Sequence, residues 1–329
     1  MKFICLFVFV QMFLCFSLEA NSIFYSNEKK NQESKGYNTM AQKNKKKNFK
    51  VQIINVKLLS DKRKGNDAYK EILVRINSNK ISAPVRGGKT AILRTLWEEK
   101  YSYNNCYYDI LYGKLSKFTL IDRERKWLNF ETMNSENVDI PKNMFPNLVE
   151  TDYVFIPAIH RLIIITTKNI NINAVEQFLN IAIPQVIESY EDYEVCIEQS
   201  QDIFEKITQA EEIHKLSISI SYTNADTGDD DFDFMDEQLK ISNAGRLSMD
   251  ILPDHTKNIN LCSIFISGAL KVAKSNGFAK ATIKNNDGRK TKIDTKLHPE
   301  TIPFESKETE VRSNIIDIAM NLFGKRNDV

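Results

Sequence analysis

The sequence predicts an α+β fold: a mixed sheet with an antiparallel N-terminal meander, a central βαβαβ segment and C-terminal helices. Three observations favour this class. Aromatic-rich runs at 106–119 and 125–130 have strand character. Strand-like and amphipathic helical runs alternate between Leu162 and Tyr222. Apolar side chains then recur at helical spacing over 259–275 and 308–323.

Two strands are predicted at the start of the body. Residues 51–57 (VQIINVK) are predicted to form a strand, and residues 69–76 (YKEILVRI) alternate in the manner of a strand. Residues 86–90 form a predicted glycine turn. A helix is expected over 90–99, because four apolar residues there have helical spacing: Ile92, Leu93, Leu96 and Trp97.

The central segment has the most regular pattern of the chain. Its first helix is expected to begin at an asparagine N-cap, Asn171 or Asn173. In order, the predicted elements are strands at 152–156 and 162–166, a helix at 173–187, a strand at 193–198, a helix at 200–210 and a strand at 215–222.

An acidic run at 224–237 interrupts this pattern and is predicted to be a loop. After the helix at 259–275, strands at 279–284 and 291–294 are expected to form a hairpin, because the Asp287-Gly288 pair suits a tight turn. A closing amphipathic helix is predicted over 308–323.

Composition is that of an ordinary globular protein, with 42% apolar and 27% charged residues and a formal net charge of +2. Any affinity for nucleic acid or membranes must therefore come from local patches. Four regions are predicted: a dispensable apolar leader with a polar linker (1–39), a main α+β domain (40–223), the acidic loop (224–237) and a C-terminal helix-hairpin-helix subdomain (238–329).

The apolar run from Phe3 to Leu18 determines the predicted compartment. It resembles a signal sequence, but Leu18-Glu19-Ala20 lacks the small residues of a cleavage site. It is also shorter than the roughly 20 residues that span a bilayer. Translation from Met40, a membrane anchor with the body in the cytoplasm, and export remain as alternatives. The odd number of cysteines in the body favours the cytoplasm: Cys106, Cys196 and Cys262.

The segment Ala83-Pro-Val-Arg-Gly-Gly-Lys89-Thr90 resembles a phosphate-binding loop placed between a strand and a helix. Its first glycine is replaced by Ala83, and Pro84 removes an N–H donor. A plain strand-to-helix turn is the main alternative. A third interpretation is a phosphate contact with nucleic acid through Arg86, Lys89 and Arg94.

A second group of basic residues surrounds the predicted C-terminal hairpin. A two-stranded ribbon with basic edges suits a phosphate backbone, whereas the simpler interpretation is a sheet edge protected from aggregation by lysine. The nucleic-acid candidates on this ribbon are Lys280, Lys284, Arg289, Lys290 and Lys292.

The acidic run is the candidate partner-binding element. Its spacing does not match a calcium loop, because the glycine precedes most of the carboxylates. A solvated loop is the alternative to a surface that engages a partner protein. The candidate partner-binding residues are Asp229, Asp230, Asp231 and Asp233.

Catalytic patterns do not emerge from the sequence. The four histidines, His160, His214, His255 and His298, are not paired at metal-ligand spacing. The motifs of serine hydrolases, zinc peptidases and cysteine enzymes are missing. We therefore predict no catalytic residue, no metal and no cofactor.

Several segments resemble a bacterial domain-of-unknown-function family: Leu93-Arg-Thr-Leu-Trp97, Leu111-Tyr-Gly-Lys114, Val154-Phe-Ile-Pro-Ala-Ile-His-Arg161, Ile220-Ser-Tyr-Thr-Asn-Ala-Asp226 and Asp294-Thr-Lys-Leu-His-Pro299. The likeness runs from about Phe49 to about Asp294. Members resemble accessory genes of mobile elements and phage-defence loci. The layout is loosely similar to phage-exclusion proteins of the Rex A and Kiwa type, which implies DNA binding by analogy.

Three functional hypotheses follow. The first is a cytoplasmic, non-enzymatic nucleic-acid-binding protein of anti-phage defence, with DNA as the expected ligand and a homo-oligomer as the expected assembly. The second is an adaptor whose acidic loop binds a host or defence-system protein. The third is a nucleotide-binding enzyme with a degenerate phosphate loop. A membrane is a partner only if the leader is a real anchor.

Overall fold

A computed structural model describes residues 45–60, 62–221, 230–255, 257–284 and 288–323. The predicted leader at 1–39 and Asp229 lie outside these ranges. The chain divides into a larger unit, Phe49–Phe304 with Arg312–Val329, and a smaller one, Met1–Asn48 with Glu305–Val311. In the smaller unit, Lys47 forms an ion pair with Glu308.

The predicted α+β class is confirmed by the structure. In chain order, the elements of the described residues are β1 (Lys47–Leu59), α1 (Asn66–Ser78), β2 (Ser82–Val85), β3 (Lys89–Leu93), β4 (Trp97–Tyr103), β5 (Cys106–Phe118), β6 (Trp127–Leu128), β7 (Ser135–Glu136), β8 (Val149–Ile156), β9 (Arg161–Ile165), α2 (Ile172–Ala182), β10 (Asp192–Ile197), α3 (Gln201–Thr208), β11 (Glu212–Ser221), α4 (Asp230–Ile241), β12 (Arg246–Ile251), α5 (Ile264–Asn276), β13 (Gly277–Lys284), β14 (Lys290–Asp294), β15 (Thr301–Ser306) and α6 (Val311–Phe323).

A nine-stranded sheet forms the larger of two layers. Its strand order is β10-β1-β9-β8-β5-β3-β2, and β4 pairs with β5 while β15 pairs with β1. The predicted βαβαβ order is present as β9-α2-β10-α3-β11. Because β9 and β10 both run antiparallel to β1, which lies between them, they run in the same direction. The last strand, β11, belongs to a different sheet.

One face of this sheet packs against α1 and α2. Ile54, Phe155 and Ile164 from the strands join Leu73 and Phe178 from the helices in one buried cluster. At the opposite face, α6 approaches β4, where the Tyr101 hydroxyl donates a hydrogen bond to Asp317 at 2.6 Å. Strands in the middle of the sheet are therefore buried on both faces, as the continuous apolar run in β9 indicates.

Two predicted elements are wrong. The segment 69–76 is a helix, because Tyr69, Ile72, Leu73 and Ile76 recur at helical spacing and are buried on one side of α1. The segment 90–99 contains strands β3 and β4 instead of a helix, because β3 pairs with both β2 and β5. A short apolar run fits both the period of a strand and the period of a helix, and in each case burial in the folded protein decides which of the two forms.

A four-stranded antiparallel sheet, ordered β12-β11-β13-β14, forms the second layer. Its inner face packs against α5, and α4 packs on α5 in turn. Ile218, Ile220, Ala281 and Ile283 from the strands lie in the second hydrophobic cluster, together with Leu270. The predicted hairpin is confirmed as β13 and β14.

The predicted acidic loop at 224–237 is wrong in its second half. Residues from Asp230 onward form α4, because Met235 and Leu239 are one turn apart and both buried. Carboxylates are also favourable in the first turn of a helix, where the backbone N–H groups point outward. The second hydrophobic cluster begins at Ile203, ahead of the predicted domain boundary at 224–237.

Candidate functional site

The outward side of the four-stranded sheet, here called the open face, carries many charged and polar side chains. In β13, Ala279, Ala281 and Ile283 are buried, so the alternate positions point away from the core. Register extends this face across the sheet, since directly opposed residues share a side. The charged residues of the open face are Glu212, Lys215, Arg246, Asp250, Lys280, Lys284, Lys290, Lys292 and Asp294.

Basic residues outnumber acidic ones on the open face, and the acids are engaged. Lys280 Nζ lies 2.8 Å from Asp294, and Lys284 Nζ lies 3.3 Å from Glu212. Within the part of the chain that the structure describes, Lys290 forms no ion pair. The positive charge at the end of the β13–β14 ribbon is therefore not fully neutralised by acidic side chains.

Lys284 and Lys290 lie directly opposite each other at that end of the ribbon. Like charges at directly opposed positions destabilise a strand pair. Lys292, opposite Thr282, is the next outward residue along β14. Arg289 immediately precedes β14, so four of the five predicted ribbon residues cluster within the last few positions of the hairpin.

The other predicted basic group lies in the nine-stranded sheet. Lys89 Nζ is hydrogen-bonded to Thr119, and Arg94 forms an ion pair with Glu150. The backbone N–H of Arg86 donates to Gln177 Oε1 at 3.2 Å. The structure thus assigns the eight predicted nucleic-acid residues to two different sheets, three to the larger and five to the smaller.

The predicted strand-to-helix setting of the phosphate-binding loop is wrong. Gly87 and Gly88 form the turn of the β2–β3 hairpin, where their φ angles of 86° and 65° require glycine. A strand follows this turn, and no helix N-terminus points at it, so the backbone cradle of a phosphate loop is not built. The nucleotide-binding enzyme hypothesis therefore loses its structural basis at this position.

The predicted partner-binding carboxylates are only partly described. Asp229 lies outside the described residues. Asp230, Asp231 and Asp233 belong to the start of α4, and only their backbone is described. Their role in binding a partner stays a prediction.

A cavity of about 250 Å³ lies where the open face meets β10, the edge strand of the larger sheet. One wall consists of β10 residues, and the floor consists of open-face residues from β11 and β13. The lining residues are Asn173, Glu176, Glu194, Val195, Cys196, Ile197, Gln199, Ser219, Ile220, Ser221, Arg246, Asn276, Gly277, Phe278, Lys296 and Leu297.

Glu194 anchors a polar cluster in the cavity wall. Arg246 forms an ion pair with it at 2.5 Å, Lys57 Nζ lies 3.6 Å away, and the Ser221 hydroxyl donates a hydrogen bond to its carboxylate. Lys57 Nζ also lies 3.1 Å from Ser221 Oγ. Two cations therefore hold one carboxylate in a fixed orientation at the junction of the two sheets.

A second polar cluster lies deeper on the same face of the larger sheet. Arg161 Nε is 2.7 Å from Glu198, and both side chains are 5% exposed. Arg161 also donates to Asn55 Oδ1 at 2.7 Å, and Asn55 donates to Asn276 Oδ1 at 2.6 Å. Ser275 donates to the other Glu198 oxygen. These contacts tie β1, β9 and β10 to the C-terminal end of α5.

Burial changes the ionisation of two groups at or next to the wall. Desolvation lowers the pKa of the Lys57 ammonium, while the charge of Glu194 opposes that shift. Desolvation also raises the pKa of the Cys196 thiol to about 12, so this cysteine is protonated and unreactive near neutral pH.

Sequence reasoning missed both polar clusters, although a signal was present. Asn55 and Lys57 interrupt the apolar β1 at alternate positions, and Glu194, Cys196 and Glu198 alternate in the same way through β10. Alternation of this kind places all five side chains on one sheet face. The register Lys57 opposite Glu194 then makes the two runs adjacent.

Metal and membrane features were searched within the described ranges. They contain no group of three or more histidine, cysteine, aspartate or glutamate residues placed to hold a metal ion. Among the same residues, no helix is both long and apolar enough to cross a bilayer. His160 stacks on Tyr69 with ring centroids 3.8 Å apart, which is a packing role.

Comparison with known proteins agrees with the coarse part of the sequence resemblance. No curated protein matches the chain. One family model, described as a domain of unknown function (DUF4747), matches residues 47–321. This range contains the likeness predicted from about Phe49 to about Asp294 and includes the elements from β1 to β15 and most of α6. The chain belongs to the DUF4747 family of uncharacterised domains.

Proposed function

We propose that the open face binds the phosphate backbone of nucleic acid, with DNA as the main ligand. One observation carries the proposal: Lys284 and Lys290 are directly opposed at the end of the ribbon, and Glu212 neutralises only Lys284. A bound phosphate relieves the repulsion between the two ammonium groups. Phosphate contacts from lysine fix position on the strand without reading its sequence.

The shape of the surface supports the same ligand. Four antiparallel strands present a polar face that is exposed at Lys280, Lys290 and Lys292, and its basic residues follow β13 and β14. Few aromatic side chains are available to stack on bases. Among the outward positions of β13, Phe278 is the aromatic residue. Binding dominated by phosphate is therefore expected to depend steeply on salt.

The second basic group supports this ligand less well. Lys89 and Arg94 are already engaged by Thr119 and Glu150 in the larger sheet. Binding a phosphate there would first break these contacts. We assign the nucleic-acid contact to Lys280, Lys284, Arg289, Lys290 and Lys292, because Lys290 forms no ion pair with the described residues, although Lys280 and Lys284 are paired with Asp294 and Glu212.

The biological setting proposed here is cytoplasmic anti-phage defence, with the chain acting as a non-enzymatic, oligomeric binding protein. The support for this setting is the resemblance to accessory genes of mobile elements and defence loci. The adaptor function of Asp229, Asp230, Asp231 and Asp233 is a separate prediction. It requires that replacing these residues with asparagine abolish capture of a defence partner without changing nucleic-acid binding.

The test compares two triple variants of the full chain. Lys284→Ala/Lys290→Ala/Lys292→Ala removes the ribbon charges, and Lys126→Ala/Lys142→Ala/Lys206→Ala removes three exposed lysines elsewhere. Affinity for labelled double- and single-stranded DNA is measured by fluorescence anisotropy at about 50 mM salt.

We expect the ribbon variant to lose about tenfold or more in affinity and the control variant to stay within about twofold. Equal losses in the two variants would show that binding depends on total charge and not on the ribbon. Retention of full affinity by the ribbon variant would contradict the proposal.

A further inference from the structure

We infer that the cavity beside the open face binds a single nucleotide, either free in solution or as the terminal residue of a nucleic-acid strand held on that face. The inference rests on the proposed function for its ligand class. It assigns a separate site, because Lys284, Lys290 and Lys292 lie at the far end of the ribbon and do not line the cavity.

The floor of the cavity is a continuation of the open face. Ser219 and Phe278 are directly opposed in the β11–β13 pair, and Ser221 and Arg246 are directly opposed in the β11–β12 pair. All four line the cavity. From Phe278 to Lys284 the strand rises about 20 Å. A strand bound to the ribbon thus has a continuous polar path into the cavity.

Size limits the ligand to a small molecule. The volume of the cavity is about 250 Å³. It is below the range of about 300–1,000 Å³ that drug-sized ligands occupy. A nucleoside unit fits this space, whereas a dinucleotide cofactor or a folded peptide does not.

Charge at the cavity favours an anionic group. Arg246 and Lys296 line it and are both exposed, so their cationic ends reach the mouth. Glu194 is already held by Arg246 and by the buried Lys57. The Glu176 carboxyl also has a cation near it, because burial raises its pKa and the charge of Lys296 opposes that shift. A phosphate at the mouth is therefore compatible with the two carboxylates of the lining.

An unsatisfied acceptor provides the contact expected for a base. Gln199 is 2% exposed and lines the cavity. Its Nε2 donates to the Gly277 carbonyl, while its Oε1 accepts no hydrogen bond from the described residues. Buried polar atoms are normally paired. The oxygen itself has almost no accessible surface, so a donor from a nucleobase pairs with it once the Gln199 amide turns toward the cavity.

Phe278 provides an aromatic wall between the base and phosphate positions. Lys296 Nζ lies 4.1 Å from the centroid of its ring, so a cation is held beside an apolar surface. Leu297 extends the apolar rim on the exposed side. A phosphate bound at Lys296 therefore lies beside an apolar surface formed by Phe278 and Leu297.

The test has two arms on the full chain. In the first, each of the four ribonucleoside 5′-monophosphates and their deoxy forms is titrated by calorimetry. In the second, a linear single-stranded oligonucleotide is compared with a covalently closed circle of the same sequence. The variants are Lys296→Glu and Gln199→Leu, with Lys206→Glu in the exposed face of α3 as the matched charge-reversal control.

A free nucleotide as ligand predicts mononucleotide binding that Lys296→Glu weakens by about tenfold or more and that Lys206→Glu leaves unchanged. A terminal nucleotide as ligand predicts tighter binding of the linear strand than of the circle, with the difference lost in Lys296→Glu. Gln199→Leu is expected to weaken whichever ligand binds. Because Lys296 is exposed, its variant tests the site even where Gln199→Leu loses stability.

Two results would overturn the inference. One is the lack of mononucleotide binding together with equal affinity for the linear strand and the circle. The other is binding that neither Lys296→Glu nor Gln199→Leu reduces. Failure of the proposed function is distinguished from both, because it appears as DNA affinity that is insensitive to Lys284→Ala/Lys290→Ala/Lys292→Ala.

Discussion

The nine-stranded and the four-stranded sheet of this protein place their charged side chains differently. In the nine-stranded sheet, charged residues such as Arg161, Lys57 and Glu198 are buried and held by opposite charges or hydrogen bonds. In the four-stranded sheet, one face is apolar and packed, and the other carries its charges in solvent. The first arrangement fixes how strands and helices are joined, and the second leaves cations available to a ligand.

Different energetic consequences follow from this contrast. Breaking a buried pair leaves a charge that cannot be solvated, so the fold loses stability. Removing an exposed charge changes stability little and acts mainly on binding. Variants in the two sheets therefore separate folding from function.

The largest expected effect is that of Glu198→Ala in the larger sheet. Arg161 stays protonated and would remain buried without its carboxylate. We expect the free energy of unfolding, measured by denaturant titration, to fall by about 3–5 kcal/mol. The double variant Arg161→Met/Glu198→Leu should recover much of this loss. A loss below about 1 kcal/mol for Glu198→Ala would show that the buried pair is unimportant.

A matched glycine pair compares close approaches in the two sheets. A Cβ at Gly113 would lie 1.9 Å from the Thr95 carbonyl oxygen, and one at Gly277 would lie 2.0 Å from the Ser219 carbonyl oxygen. Each alanine variant should lower the free energy of unfolding by about 1–3 kcal/mol. Only Gly277→Ala should also weaken nucleotide binding, since Gly277 lines the cavity. Equal binding by both variants would argue against the cavity as the ligand site.

The pH dependence of stability distinguishes a buried lysine from an exposed one. Burial lowers the pKa of Lys57 below the usual value of 10.5 that it has in the unfolded chain. Between these two pKa values the unfolded chain binds more protons, so the free energy of unfolding rises with pH, by at most about 1.4 kcal/mol per pH unit. Lys57→Met should flatten this alkaline rise.

Lys280→Met is the control for that measurement, because Lys280 is exposed on the open face. Its variant should keep the wild-type slope between neutral and alkaline pH. An unchanged slope in Lys57→Met would mean that the folded protein does not perturb the Lys57 ammonium.

The smallest effect on stability is expected for the exposed ion pair of the open face. Lys280→Ala removes the contact with Asp294 at 2.8 Å, which solvent screens. The free energy of unfolding should change by no more than about 1 kcal/mol, while DNA affinity falls measurably. A larger loss of stability than of affinity would reverse the contrast between the two sheets.

Sequence patterns predicted the smaller sheet better than the larger one. The alternation in KLSISISY and the Asp-Gly turn gave β11 and the β13–β14 hairpin, because one face of each strand is buried and the other is not. In the larger sheet, α1 and β3 were assigned the wrong type. Burial on both faces removes the alternation that separates a strand from a helix over a short run.

Sequence patterns also predicted only the local part of the candidate site. The ribbon lysines were found as a local run, and the structure keeps them on one hairpin. The polar clusters around Glu194 and Arg161 join residues that are far apart in sequence, and they depend on the register of β1 with β10. In the sequence, the alternate polar positions of those strands were the one indication of the two clusters. No sequence rule pairs Lys57 with Ser221.

The salt dependence of DNA affinity tests the central claim most directly. A plot of the logarithm of the association constant against the logarithm of salt concentration has a slope set by the number of phosphates contacted. We predict a slope smaller in magnitude by about two to three for Lys284→Ala/Lys290→Ala/Lys292→Ala than for wild type. The Lys126→Ala/Lys142→Ala/Lys206→Ala control should keep the wild-type slope. A ribbon variant with the wild-type slope, or a wild-type protein whose affinity is independent of salt, would contradict the assignment of the open face to nucleic acid.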